Sequence, residues 1–80
     1  MERMNELVEV LARFANGQMQ ILRFYWRGRT YEVVKTTIKL ERTDGGRQFW
    51  CFGVQTKTMV AELAMEKANL MWRLVGVANT

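Results

Sequence analysis

Over the first sixteen positions the apolar residues fall at Met4, Leu7, Val8, Leu11 and Phe14/Ala15. Steps of three and four place them on one stripe of an α-helix. Glu2, Glu6 and Glu9 near the start and Arg13 near the end suit the helix dipole, and Asn16-Gly17 offers a pair able to take the left-handed stop conformation. The spacing predicts an amphipathic helix over about residues 3–15. After Gly17 the period changes to two: Leu22, Phe24 and Trp26 alternate with Ile21, Arg23, Tyr25 and Arg27, the pattern of a strand. A two-residue turn at Arg27-Gly28 and a second strand, Arg29 to Val33, complete a hairpin. Its register sets Trp26 opposite Arg29, Phe24 opposite Tyr31, Leu22 opposite Val33, and Arg23 opposite Glu32. One face then collects Leu22, Phe24, Trp26, Tyr31 and Val33. The other receives an Arg23/Glu32 cross-strand pair worth about 0.2–1 kcal/mol.

Past Val33 the alternation shifts phase to Val34, Thr36, Ile38 and Leu40, which predicts a bulge near Val33-Val34-Lys35 and a sharp bend in the sheet. Thr43-Asp44-Gly45-Gly46 is a turn. Gln48 to Gln55 is a strand with apolar groups on both faces, hence an interior one. Lys57 to Val77 admits two readings. Met59/Val60, Leu63/Ala64, Leu70/Met71 and Leu74 fit a helical stripe, which the Ala, Glu, Met and Lys content favours. The same stretch also reads as a hairpin turning around Glu66-Lys67-Ala68-Asn69, with Trp72 and Leu74 facing inward. The expected fold class is α+β: an N-terminal helix packed on a curled antiparallel sheet of about five strands, with closure into a small β-barrel as a variant. Residues 1–80 form a single domain, with a β-meander over about 19–77.

Composition narrows the chemistry. Eighty residues, 49% of them hydrophobic, suffice for one compact core. No uncharged run approaches the roughly 20 apolar residues of a membrane span. Met1-Glu2-Arg3-Met4-Asn5-Glu6 sets acids where a secretion leader is basic, so a cytoplasmic location is expected. The chain has no His, Ser or Pro, one Cys and one Asp, which removes Ser-His-Asp and Cys-His catalysis and any Cys/His metal site. A non-enzymatic protein without cofactor or metal is expected. Cys51, in the most apolar strand, reads as a small buried hydrophobe.

The net charge of +4 is unevenly spread. Between Gln20 and Arg47, Arg23, Arg27, Arg29, Lys35, Lys39, Arg42 and Arg47 face only Glu32, Glu41 and Asp44. Such a segment attracts phosphate backbones or acidic proteins, or simply keeps a strand face in solution. Arg27, Arg29, Arg42 and Arg47 flank the two turns and would cluster if the hairpin tips met, and the planar fork of arginine suits phosphate. Tyr25, flanked by Arg23 and Arg27 on the outward face, is a contact candidate. Arg23, Tyr25, Arg27, Arg29, Arg42 and Arg47 are therefore the candidate nucleic-acid or partner-contact residues. Trp26, Tyr31, Trp50, Phe52 and Trp72 read as core rather than as a stacking platform. An interior strand apolar on both faces, together with six Met, leaves apolar surface for a protein partner or a homodimer.

Phe24-x-Trp26-x-Gly28-Arg29-x-Tyr31-x-Val33, then Trp50-x-Phe52-x-Val54-x-Thr56, then Glu62-Leu63 and Trp72-Arg73-Leu74 closing on Val77, resemble a short bacterial domain of uncharacterised function. That domain also looks like the carboxy-terminal appendage of some proteins related to Y-family lesion-bypass polymerases. The resemblance covers roughly residues 22–78. It implies an aromatic-rich hairpin for residues 59–77 and carries over no catalytic residues. The functional expectation is a non-catalytic interaction or oligomerisation module. The alternative is a nucleic-acid-binding accessory module linked to DNA repair.

Overall fold

The structure, a computed structural model, describes residues 1–79. Seven antiparallel strands make up the fold: β1 (Glu2–Ala15), β2 (Gln18–Trp26), β3 (Arg29–Glu32), β4 (Lys35–Asp44), β5 (Arg47–Gln55), β6 (Met59–Glu66) and β7 (Trp72–Asn79). They lie in one sheet in the order β3-β2-β1-β7-β6-β5-β4. No helix occurs among the described residues. The class is all-β, so the expected α+β class, the helix over residues 3–15 and the count of about five strands are all corrected.

The N-terminal segment is a strand because its partners are strands on both sides. Glu2 to Val8 pair with β7, and Glu9 to Ala15 pair with β2. Long-range ladders of this kind override local helix spacing. The inward positions Met4, Glu6, Val8, Val10 and Ala12 alternate with the more exposed Asn5, Leu7, Glu9, Leu11 and Arg13. Asn16-Gly17 closes the β1–β2 hairpin rather than a helix: φ is 54° at Asn16 and 73° at Gly17, as a type I′ turn demands. Arg27-Gly28 (50° and 75°) and Gly45-Gly46 (57° and 82°) are built the same way.

β2 and β3 have the expected register, with Trp26 opposite Arg29, Phe24 opposite Tyr31 and Arg23 opposite Glu32. The rings of Phe24 and Tyr31 stack at 5.2 Å between centroids, and Trp26 lies 6.0 Å from Tyr31. One residue differs. The β1–β2 ladder steps from Arg23 to Ile21, so Leu22 is the bulged residue and Ile21 is buried in its place.

At Val33-Val34 the chain crosses from one end of the strand order to the other. The Val33 N–H donates to Leu22 O at 3.0 Å, and the Val34 N–H donates to Gln55 O at 2.8 Å. A second irregularity follows at Thr36/Ile38. Thus β3 and β4 are two halves of one bent ribbon joining the two ends of the strand order, and the sheet folds over on itself. Residues 59–79 form the hairpin, not the helix that composition favours. Phe24 and Ile21 of β2 meet Phe52, Val54, Met59, Ala61, Leu63 and Leu74 in a single core. Trp26, Tyr31, Trp50 and Trp72 pack against it half-buried.

Candidate functional site

The six candidate contact residues divide between two parts of the surface. Arg23 and Tyr25 share the outward face of β2. Arg23 Nε lies 3.3 Å from Glu32 Oε1, close enough for charge attraction but not aligned as a hydrogen bond. Arg27 folds back from its turn: its Nη2 donates to Glu6 at 2.9 Å, and its guanidinium sits 4.7 Å over the Trp26 ring. Arg29 is exposed opposite Trp26. Arg42 and Arg47 flank the β4–β5 turn and line a different depression. The hairpin tips do not bring the arginines together.

The first depression is an open cleft of about 830 Å³ where β1 passes from one sheet partner to the other. Leu7, Val8, Tyr25, Arg27, Leu70 and Met71 line it. Leu7, Tyr25, Leu70 and Met71 are all exposed, an apolar cluster with the tyrosine, methionine and arginine content typical of protein interfaces. Leu70 stands out. It has φ of 61°, a conformation that costs a branched side chain about 1–2 kcal/mol, yet its side chain is 65% exposed. The loop holds it there. The Leu70 N–H donates to Glu66 O at 2.8 Å, Met71 N–H donates to Asn69 Oδ1 at 3.0 Å, and Glu66 N–H donates to Met71 O at 2.9 Å.

The second depression is a trench of about 420 Å³ on the outer side of β1, β4, β5, β6 and β7. Cys51 and Ala64, paired across β5 and β6, form its buried floor. Arg3, Arg42, Arg47 and Arg73 rim it, each from a different strand. Two of them are committed to acids: Arg3 donates to Glu62 at 2.6 Å, and Arg47 grips Glu66 with two bonds of 2.9 and 2.6 Å. Arg73 donates to the neutral Asn5 at 3.2 Å. The hydrogen bonds from Arg47 hold the Glu66 carboxyl below the usual carboxylate range. Burial pushes the Cys51 thiol up, in keeping with an inert floor residue. Among the described residues no group of three or more His, Cys, Asp or Glu is placed to hold a metal ion.

The residues that sequence reasoning missed are Arg3, Arg73, Leu70 and Met71. Arg3 and Arg73 lie outside the basic middle segment, and only the β1–β7 pairing carries them to the trench. Leu70 and Met71 fit a helical stripe as well as the start of a hairpin's second arm, and neither pattern marks them as surface residues. No protein-family model matches the chain, and neither a curated protein nor a solved structure matches it significantly.

Proposed function

We propose that the protein is a non-catalytic interaction module that receives an apolar segment of a protein partner in the cleft beside Leu70. The observation that carries this reading is Leu70 itself. An exposed leucine in the left-handed region is unfavourable on two counts, and backbone of this kind, held here by the hydrogen bonds of its loop, clusters at contact and ligand-clamping sites. Leu7, Tyr25 and Met71 extend the same apolar patch, with Arg27 at its margin. Panning a peptide display library against the wild-type chain, with Leu70→Asn as counter-selection, tests the reading. Apolar peptides that bind the first and not the second support it. A library yielding no peptide that distinguishes them contradicts it.

A second reading has its own observation, the convergence of arginines from four strands on the trench. Among the described residues Arg42 and Arg73 are bonded to no acid there, which suits the phosphates of a single-stranded nucleic acid, and the resemblance to polymerase appendages points the same way. On this reading affinity for single-stranded DNA falls steeply with salt. The slope flattens on Arg42→Ala plus Arg73→Ala but not on Arg27→Ala plus Arg29→Ala. Equal flattening by both pairs, or no binding at low salt, overturns it.

A further inference from the structure

β4 is the end of the strand order, paired through one edge to β5 and hydrogen-bonded along the other to no strand among the described residues. All ten of its residues are exposed, including Ile38 at 57% and Leu40 at 45%. An edge of this length with apolar side chains is a template for another strand. The hairpin geometry fixes which backbone groups are free. Asp44 and Arg47 flank the two-residue Gly45-Gly46 turn and so bond each other, after which the direction alternates. Arg42 and Leu40 point their backbone groups at β5. Thr43, Glu41 and Lys39 point theirs outward.

A second copy approaching about a two-fold axis must oppose outward groups with outward groups, so the axis passes through a residue, not between two. In the regular stretch Ile38–Asp44, only Leu40, Glu41 and Arg42 leave at least two residues on each side of the axis. Centring on Glu41 sets glutamate against glutamate, and centring on Arg42 sets arginine against arginine. Only Leu40 puts Lys39 opposite the partner's Glu41, and does so twice. That register also lays Leu40 against itself, with Ile38 diagonal to it on the same face and opposite the aliphatic stem of the partner copy's Arg42. The Lys39 ammonium, 4.9 Å over the Trp50 ring, and Glu41, which accepts from Lys67, lie together on the opposite face.

We infer that the chain self-associates by antiparallel β4–β4 pairing centred on Leu40, with Lys39 and Glu41 of each copy matched across the dyad. This goes beyond the cleft reading and does not depend on it, since the cleft lies on β1, β2 and the β6–β7 loop. Lysine on an edge strand commonly deters pairing. Here the glutamate two residues along turns the same lysine into a register key.

Sedimentation over a concentration series tests the inference. Wild type forms dimers. Lys39→Glu alone sets like charges opposite each other at both sites, as does Glu41→Lys alone, and each weakens association by about tenfold or more. Lys39→Glu combined with Glu41→Lys restores the match and the dimer. Both positions are exposed, so far-ultraviolet circular dichroism is expected to be unchanged in all three variants, which separates lost pairing from lost folding. A strictly monomeric wild type, single reversals that leave the dimer intact, or a double swap that fails to rescue a folded chain would each overturn the register. Leu70→Asn, by contrast, is expected to leave the dimer untouched. If it dissolves the dimer, the cleft rather than β4 is the contact.

Discussion

Glu66 shows how a polar side chain takes part in the fold of this chain. Its side chain is only 12% exposed, and its carboxylate receives both Arg47 bonds and a weaker one from Asn69. Its pKa in the folded chain lies below the unfolded value, so it contributes stability above the unfolded value and loses that contribution as pH falls toward the folded one. The stability difference between wild type and Glu66→Gln is therefore greatest near neutrality and shrinks with acid. Denaturant melts at a series of pH values check this, and a difference independent of pH would contradict it. Thr56 is a second such residue, 4% exposed in the β5–β6 turn. Its hydroxyl accepts from Met59 N–H at 3.1 Å and Thr58 N–H at 3.3 Å, and donates to Met59 O. Thr56→Val leaves the buried Met59 donor without its partner, at an expected cost of about 1–3 kcal/mol by urea unfolding.

The elements differ in how openly the sequence declares them. The β2–β3 hairpin was readable because its turn dipeptide, ring pattern and Arg23/Glu32 pair all require the same register. β1 was not, because it is apolar on both sides. Met4, Val8 and Val10 face the core while Leu7 and Leu11 face out, and the union of the two sets imitates helical spacing. The clue lay in Asn16-Gly17, a dipeptide that stops helices but closes hairpins more often. The β6–β7 hairpin was masked in a similar way, since Ala61, Ala64 and Met65 are good helix formers that here are buried in a strand. The phase shift at Val33-Val34 did announce the bend. It could not announce that the bend carries the ribbon from one end of the strand order to the other, because the β1–β7 closure is a pairing between chain ends.

The same closure decides what the molecule can present. By joining residue 3 to residue 76 and residue 8 to residue 72, the β1–β7 ladder gathers Arg3 and Arg73 at one trench and sets Leu7 beside Leu70 at one cleft. The arginines the sequence picked out are separated by this folding, and Arg27 is spent on Glu6 and Trp26. What remains is a small all-β body with an apolar cleft, a basic trench and the long bare edge of β4. The claim on which its proposed role rests is that Leu70 is kept against the preference of its own backbone for the sake of contact. The direct measurement is a pair of thermal melts, wild type and Leu70→Asn, each with and without a peptide selected on the wild-type cleft. Asparagine tolerates the left-handed region, so the free variant is expected to melt about 4 °C higher, and only the wild type gains from the peptide. A variant that melts lower than wild type, or that gains as much from the peptide, would contradict the account.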